Sequence, residues 1–326
     1  MTKLTRKLFI SILTVAFAVI TLGTTTFAWF TLSSTAEIES FNAEVTAGDG
    51  IEISLNGSVF KRTISNSEIL TRIKSSFVKF DTVTSSNGKS MEYLNSESAS
   101  AQDYVEFQLW FRTPSAGKNI YLVPPTSISS DIKTWKADTA FNYAGYGSLT
   151  NVVAGTPINI YAANMLRMSF EEYTSINFTE KTATSTATEA KVFELDPAHI
   201  DRGETTPNTE NLLLGIGPVS TPGLVDYWQK KLGENLLTTD GKELDGEGSN
   251  KRTISLPTTV YGNTDIKLGG QSIAAPTFLN GDTDENDGYY YSYVMVRMWI
   301  EGWDPDCFDA ALKTSINVKL NFEIGA

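Results

Sequence analysis

Near the C-terminus the sequence alternates strictly between polar and apolar residues over residues 315–324. The apolar positions are Ile316, Val318, Leu320, Phe322 and Ile324. Because successive side chains of a β-strand point to opposite faces, this period of two predicts a strand with one buried face and one solvent face. A helix could not place these five side chains on one side, so the pattern ties this part of the chain to a sheet.

Other segments repeat the β pattern. Residues 292–300 are apolar at nearly every position, which predicts a central strand covered on both faces, whereas residues 105–111 and 51–55 alternate, the latter ending at a turn at Asn56-Gly57. Weaker strands are predicted at residues 77–83, 120–123, 158–162, 166–170, 176–178, 192–195 and 253–260. Many short strands separated by Gly, Pro, Asn and Ser predict an all-β fold, a jelly-roll-like antiparallel β-sandwich, with a barrel as the alternative.

A helix is predicted once, with Thr221 as N-cap, Pro222 at the first helical position and Gly233 after the end. We expect this short helix to be an insertion at the edge of a sheet. Long surface loops are predicted at the polar stretches 84–100, 179–190, 201–210 and 238–250. No segment resembles a linker, so residues 48–326 are predicted to form one sandwich domain.

The N-terminus predicts export. Three basic residues are followed by an apolar run over residues 8–22, which as a helix would span about 22 Å, less than the roughly 30 Å of a hydrocarbon core. Residues 1–28 therefore resemble a secretory signal peptide, which a signal peptidase would cleave between Ala28 and Trp29. An uncleaved membrane anchor is the alternative, because no charged residue occurs from residue 8 until Glu37.

The net charge and the cysteine content limit the partners that the protein is expected to bind. Loss of the three basic signal residues would change the formal charge from −12 to −15, and such an acidic body repels nucleic acid and anionic lipid. We therefore expect no nucleic-acid partner, and membrane contact only through an uncleaved signal. The single cysteine, Cys307, excludes an intramolecular disulfide. It is predicted to be a buried apolar residue or a thiol available for dimerisation.

Catalytic chemistry finds little support. Zinc hydrolases need about three protein ligands, usually including two histidines, but this chain has only His199 and no His-Glu-x-x-His motif. A Ser-His-acid triad would also need His199, and no Gly-x-Ser-x-Gly segment accompanies it. We predict that the protein is not an enzyme and needs no cofactor, with a secreted hydrolase as the least favoured function.

An acidic loop over residues 282–288 is the best candidate for an ion site. Its candidate calcium ligands are Asp282, Asp284, Asn286 and Asp287. Oxygen ligands in alternation can converge on Ca²⁺, which takes six to eight of them. The loop departs from an EF-hand because Asp287 stands where that motif has Gly, and Tyr293 where it has Glu. The alternative is a solvated acidic hairpin.

The segment 301–307 lies between two predicted strands. Glu301, Asp304 and Asp306 could bind a metal or a glycan. The alternative, which we favour, is a structural corner in which Trp303 packs inward and Asp304-Pro305 begins a turn.

The two ends of the chain resemble known exported proteins. Residues 26–31, Thr-Phe-Ala-Trp-Phe-Thr, lead into Phe41, Val45 and the Gly-Asp-Gly-Ile of residues 48–51. This arrangement resembles the TasA/camelysin family of Gram-positive surface proteins. Residues 296–307 resemble the penultimate strand and loop of exported Firmicutes proteins with similar signals. The resemblance covers about the first fifty and the last forty residues.

The resemblance implies a jelly-roll sandwich that polymerises into extracellular fibres, with the freed N-terminal segment adding a strand to a neighbouring subunit. The predicted function is therefore an exported structural subunit of a cell-surface or biofilm-matrix filament, with residues 29–47 as the donor segment. A tethered or secreted adhesin that binds a glycan or protein is the alternative. For the segment itself, the alternative is pairing within its own sandwich.

Overall fold

The computed structural model describes residues 40–73, 79–93, 98–141, 152–173, 175–177, 180, 182–184, 190–194, 227, 230–231, 243–244, 252–253, 260–261, 272–276, 278–279, 288–302, 304, 307 and 314–325. All of them belong to one compact unit. Across these residues, no helix has the length and apolar character needed to cross a membrane.

Strands dominate the described chain. In chain order they are β1 (Ser40–Ala47), β2 (Glu52–Ser54), β3 (Thr63–Ile64), β4 (Thr82–Thr84), β5 (Glu92–Tyr93), β6 (Val105–Thr113), β7 (Asn119–Leu122), β8 (Ser127–Ser130), β9 (Ile132–Lys136), β10 (Pro157–Tyr161), β11 (Leu166–Glu172), β12 (Ser175–Asn177), β13 (Thr182–Thr184), β14 (Lys191–Glu194), β15 (Glu243–Leu244), β16 (Arg252–Thr253), β17 (Val260–Tyr261), β18 (Ser272–Ala274), β19 (Phe278–Leu279), β20 (Tyr290–Glu301) and β21 (Ser315–Gly325). The α-helix α1 spans Asn66–Ile73, and a 3₁₀ turn spans Ala162–Met165.

The large sheet is built around β20. This strand pairs antiparallel with β11 on one side, and on the other with β6 and, at its end, in parallel with β4. The path through the sheet is β17-β14-β11-β20-β4-β5, with β2 beyond β6 and β19 beside the start of β20. Since β20 has neighbours along both edges, its apolar sequence fits a central strand, as predicted.

The small sheet is built around β21, in the order β18-β7-β21-β1-β3, with β8 also against β21. The first and last described strands are partners here. β1 runs parallel to β21 from Ser40↔Ser315 to Ala47↔Phe322. Residues 40–47 thus lie in the sheet of their own chain, which is the intramolecular alternative for this part of the N-terminal segment.

The two sheets pack face to face through aromatic side chains. The ring of Phe322 on β21 lies 5.1 Å from that of Phe111 on β6 and 6.0 Å from that of Phe170 on β11, both edge to face. The alternating apolar residues of β6, β11, β20 and β21 form one buried cluster between the sheets. Burial of this surface is the main driving force for the fold.

Helix α1 covers the edge of the small sheet and was not predicted. Its first turn carries one half of a capping box, in which the Ser65 backbone N–H donates to Glu68 Oε2 at 3.1 Å. The Ser65 hydroxyl also donates to this oxygen, at 2.8 Å. Ile69 and Ile73 are fully buried beneath it. The pattern Ser-x-x-Glu could have revealed this helix in the sequence.

The predicted fold class is confirmed: the described chain is an all-β sandwich with a short helix. The sheets are mixed rather than purely antiparallel as predicted, because β1 with β21, β14 with β17 and β20 with β4 are parallel pairs. The jelly-roll topology stays a prediction. The predicted helix at residues 221–233 lies largely outside the described residues. Within it, Tyr227 is helical and buried, and its ring packs edge to face against Trp135 at 5.0 Å and Phe141 at 5.6 Å.

Candidate functional site

The position of β1 makes it the first candidate site. Its inward-facing side chains, all buried, are Phe41, Ala43, Val45 and Ala47. The ring of Phe41 reaches the core and meets Phe80 edge to face at 5.7 Å. A strand of this kind gains its stability from core burial as well as from its ladder to β21.

The other edge of β1 is covered more sparsely. β3 pairs with it at two positions, Val45↔Ile64 and Thr46↔Thr63. Beyond these two pairs, the Ala43 N–H donates to the side-chain Oδ1 of Asn66 at 2.9 Å, so a side chain of α1 supplies the next hydrogen bond to this edge of β1. β1 is therefore held chiefly by β21 and by the core.

The chain leaves β1 through a glycine-rich turn. Gly48 donates its N–H to the carbonyl of Phe322 at 2.7 Å, and a Cβ at this position would lie 3.1 Å from that oxygen. Gly50 follows with φ +83°, a left-handed conformation that favours glycine. This turn carries the chain from the small sheet to β2 of the large sheet.

The second candidate site is the outer face of the large sheet, which is not open to water. On β11 every residue from Leu166 to Glu171 is buried, although the sequence alternates between apolar and polar residues. The outward-facing residues of this strand are Arg167, Ser169 and Glu171. This face therefore has a covering layer of its own.

Part of the covering comes from residues 84–100, which the sequence predicts to be a surface loop. The described part of the segment is only partly exposed: Ser90, Ser98 and Ser100 lie at the surface, whereas Ser85, Gly88 and Met91 are buried. Met91 packs with Val83, Val192 and Trp299 in a small apolar cluster. Polar composition does not indicate exposure here, because polar side chains of the segment accept hydrogen bonds from backbone N–H groups of its own turn, as Ser85 and Asn87 do.

Two turns of the same sequence, Ser-x-Asn-Gly, fold onto this face. Residues 54–57 follow β2 and residues 85–88 follow β4. In each, the serine hydroxyl accepts the glycine N–H, at 3.0 Å and 2.9 Å. Both glycines have positive φ and lie so close to the sheet that a Cβ on Gly57 would be 2.9 Å from the indole of Trp110, and one on Gly88 2.7 Å from Val192. Glycine is thus required twice, for conformation and for space.

A buried ionic cluster lies at one end of the face. Arg167 Nη2 donates to Asp304 Oδ2 at 2.7 Å, and Arg167 Nη1 lies 3.1 Å from Glu194 Oε1. Arg167, Glu194 and Asp304 are at most 1% exposed. Glu301, equally buried, accepts the indole N–H of Trp299 at 3.1 Å. Burial alone lowers the pKa of Arg167, but the carboxylates of Glu194, Asp304 and Glu301 together raise it above its ordinary value.

A second cluster continues along the same face. Arg297 on β20 donates from Nε to Glu106 at 2.6 Å and from Nη1 to Glu171 at 2.7 Å, and Lys89 Nζ lies 3.0 Å from Glu171. Burial lowers the pKa of Arg297, and the two carboxylates more than offset this and raise it. Arg167 on β11 joins Glu194 of β14, and Arg297 on β20 joins acids of β6 and β11, so the clusters tie these four strands together.

Aromatic side chains occupy the other end. Tyr293 packs edge to face against Trp110 at 4.9 Å and Tyr173 at 4.7 Å. Nearby, the guanidinium of Arg112 lies between two rings, 4.5 Å from Phe60 and 4.4 Å from Tyr289. It also contacts Glu52 at 2.6 Å. This end is less deeply buried, because Phe60 and Tyr289 are both partly exposed.

The chemistry of these clusters is structural. Arg167, Glu194 and Asp304 are ion-paired and buried, so these side chains present no exposed coordination position and no exposed surface for substrate. Among the described residues, no group of three or more His, Cys, Asp and Glu side chains is arranged to hold a metal ion. Glu301 and Asp304, considered above as possible metal or glycan ligands, instead face the protein interior, and the Asp304 N–H donates to the carbonyl of Glu301 at 3.1 Å.

The other residues singled out from the sequence have different outcomes. Cys307 is buried and forms no disulfide. The calcium candidates Asp282, Asp284, Asn286 and Asp287 lie outside the described residues, as do His199, Asp306 and the cleavage site at Ala28 and Trp29. Arg167, Glu171 and Glu194 were missed, since on their own strands they resemble ordinary solvent-facing residues.

Comparison with known proteins gives no relative. No protein-family model matches the chain, and the searches of curated proteins and of solved structures find no significant match.

Proposed function

We propose that this chain is an exported structural subunit of a cell-surface or extracellular-matrix filament, in which β1 of one copy fills the place beside β21 in the next. The observation that carries the proposal is the pairing of β1, an N-terminal strand, in parallel with β21 across eight residues. On its other edge two residue pairs join β1 to β3. An extended strand with one strong ladder and a buried apolar face is the kind of segment that adds to a neighbour's sheet.

Exchange of β1 between copies would preserve the contacts that this strand makes within its own chain. Residues 40–47 of a second copy carry the same side chains, so Phe41 and Val45 would enter the same core. The turn at residues 48–50 is where the two paths would diverge. A head-to-tail contact whose rotation does not close into a ring generates a filament, and we propose that this contact is of that kind.

Export and a non-catalytic role belong to the same proposal. The basic and apolar character of residues 1–28 supports secretion after signal peptidase cleavage at Ala28. The ionisable clusters on the large sheet support a structural role, because their charged side chains form ion pairs with one another. The proposal requires no cofactor, and calcium at residues 282–287 is not part of it.

Disulfide trapping between copies tests the proposal. Glu44 and Lys319 are exposed and opposite each other in the ladder, at the roughly 5 Å spacing of paired strands, which suits a disulfide. One batch of secreted protein carries Glu44→Cys and the other Lys319→Cys, both with Cys307→Ala. Under oxidation, mixed assemblies should form covalent dimers, each joining a Glu44→Cys copy to a Lys319→Cys copy, and filaments should be visible by electron microscopy.

A matched pair of single batches is the control. Oxidised alone, neither batch should give more than the dimers of chance surface contacts, because each holds only one of the facing cysteines. If the mixture gives no more covalent product than the single batches, and no filaments form, the exchange is wrong.

A surface adhesin is the second candidate, and the observation that favours it is the aromatic end of the large sheet. Phe60 and Tyr289 are partly exposed, and Val59 beside Phe60 is 65% exposed. Exposed rings can stack on sugars or pack on protein. A glycan array probed with wild type and with Phe60→Ala/Tyr289→Ala, both folded by circular dichroism, tests it: binding lost only in the variant supports an adhesin.

A further inference from the structure

Three side-chain amides form a chain across the outer surface of the small sheet. Asn66 Nδ2 at the start of α1 donates to Asn42 Oδ1 on β1 at 2.9 Å. Asn42 Nδ2 then donates to Asn317 Oδ1 on β21 at 3.0 Å. The chain thus crosses β1 from one side to the other.

Asn66 also contacts the backbone of β1. Its Oδ1 accepts the N–H of Ala43 at 2.9 Å, so the two ends of one amide hold two consecutive residues of the strand. Asn66 is itself fixed, since it follows the capping box of Ser65 and Glu68. A rigid amide in this position recognises a strand only where an asparagine side chain and a free N–H arrive together.

Register matters because β1 could slide. A slip of one residue would expose the buried face, which the alternation already forbids. A slip of two residues keeps the alternation, but it moves Asn42 away from both Asn66 and Asn317. It also exchanges the large and small positions on the inner face, where Phe41 and Ala43 are neighbours. The amide chain therefore opposes the two-residue slip, which the alternation of apolar and polar residues alone would allow.

We infer that Asn66, acting with Asn42, sets the register in which β1 enters the small sheet, so that this sheet accepts residues 40–47 of this chain in a single alignment. Applied to a strand from a second copy, the inference rests on the proposed function, and the partner is then a segment with the sequence of residues 40–47. Applied to β1 in its own sheet, it stands without exchange. Asn66 is a specificity-determining residue for this strand in either case.

Intramolecular disulfides report the register directly. The secreted chain, with Cys307→Ala, receives either Glu44→Cys with Lys319→Cys, which are opposite each other, or Thr46→Cys with Lys319→Cys, which would be opposite only after a two-residue slip. In the native register the second pair is diagonal, with Cα atoms about 8 Å apart, too far for a disulfide. Oxidation is carried out on dilute monomers, and the disulfides formed within one chain are counted by mass spectrometry.

The first pair should close and the second should not. Adding Asn66→Ala removes two hydrogen bonds to β1, and the slipped disulfide should rise relative to the native one by at least about fivefold. Asn66→Asp keeps an acceptor for the Ala43 N–H and should give a smaller rise. Thr71→Ala on the same helix is the matched control and should leave the ratio unchanged, because the hydrogen bond that it removes, from the Thr71 hydroxyl to the Ser67 carbonyl, lies within α1.

If the ratio does not change with Asn66→Ala, the inference is wrong. If Asn66→Ala does not fold, Asn42→Ala decides in the same way, because it breaks the same chain from the strand. These single-chain disulfides are independent of the mixed-copy disulfides above, so a failed exchange leaves the register result standing and a failed register result leaves the exchange standing.

Discussion

The two sheets treat their outer faces in opposite ways. On the small sheet, the outward residues of β21 are polar and exposed or half-exposed, as at Asn317, Lys319 and Glu323. On the large sheet, β20 and β11 bury both faces, and the outward side carries arginines, carboxylates and aromatic rings under two glycine turns. The small sheet is thus buried on its inner face only, whereas the large sheet is covered on both faces.

The difference shows where the polar residues stabilise the fold and where they serve only solubility. An exposed ion pair contributes little, because water screens both partners. A buried arginine whose partner is removed leaves a charge in a medium of low dielectric constant, which is strongly unfavourable. Polar residues of similar type should therefore differ greatly in their effect on stability between the two outer faces.

The largest effect is expected at Arg167. Arg167→Leu leaves Glu194 and Asp304 buried without their cation, and it should lower the free energy of unfolding by about 3–5 kcal/mol. Urea denaturation followed by tryptophan fluorescence measures this change. Arg167→Lys keeps the charge but not the fork that reaches both acids, so it should give a smaller loss.

Lys319→Ala on the small sheet is the matched control for Arg167. Lys319 is exposed and lies opposite Glu44, so its loss should change the free energy of unfolding by no more than about 0.5 kcal/mol. Equal effects at the two positions would contradict the contrast between the faces.

A smaller effect is expected at the glycine turns. Gly57 and Gly117 share a positive φ, +67° and +64°, but a Cβ on Gly57 would meet Trp110 at 2.9 Å, whereas nothing lies within 4 Å of one on Gly117. Gly117→Ala should cost only the conformational penalty, about 1–2 kcal/mol. Gly57→Ala adds the clash and should cost roughly 2–4 kcal/mol. Thermal unfolding of both variants gives the difference, and a result with Gly117→Ala the more damaging would show that the turn does not press on the sheet.

The smallest effects are expected from two acids that titrate in opposite directions. Glu68, beside the small sheet, has its pKa lowered to about 2, chiefly by the hydrogen bond from Lys61 and then by those from Ser65. Its contribution to stability is therefore present above about pH 4.5 and is lost as the pH falls towards 2. Asp81, just before β4, has its pKa raised, chiefly by burial. The hydrogen bond from the Thr82 N–H lowers this pKa, and the charge of Asp103 raises it further. Its contribution is present at low pH and is lost as the pH rises through that raised pKa.

Two substitutions separate these signs. Glu68→Gln should destabilise the protein at pH 7 by less than about 1 kcal/mol, because the pair with Lys61 is exposed, and it should have no effect near pH 2. Asp81→Asn should be neutral or stabilising at pH 7, since it removes a charge that burial disfavours and keeps an oxygen for the Thr82 N–H. Unfolding midpoints measured from pH 2 to 7 test both, and slopes of the same sign would contradict the two assignments.

The sequence predicts the strands that carry a clear period and not the contacts that cover them. β21, β6 and β20 follow from their own residues, because alternation and apolar runs are local signals. The covering of the large sheet depends on where residues 54–57 and 85–88 return in space, which no local pattern records. Trp110 on the supposed solvent side of β6 is an available hint, since such a ring seldom lines a fully exposed face. Tyr293 and Trp299 give the same hint on β20, the strand that is predicted to be covered on both faces.

The buried ions lie beyond sequence reasoning for a similar reason. Arg167 alternates with Leu166 and Met168, as in any half-buried strand, and its partners Glu194 and Asp304 come from 27 and 137 positions away. Only the paired geometry distinguishes them from surface charges. The capping box of α1 is the opposite case, a short-range motif that sequence alone could have revealed.

The pairing of β1 with β21 also fixes the order in which the molecule can be completed. Asn42 and Asn317, which are bonded across this ladder, are 275 positions apart in the chain. β1 therefore leaves the ribosome long before its partner strand exists, and closing so large a loop is slow compared with forming the β20–β11 and β6 contacts. Until residues 315–322 are synthesised, Phe41 and Val45 lack the ladder to β21, so we expect the small sheet to close late and its first strand to need protection during synthesis.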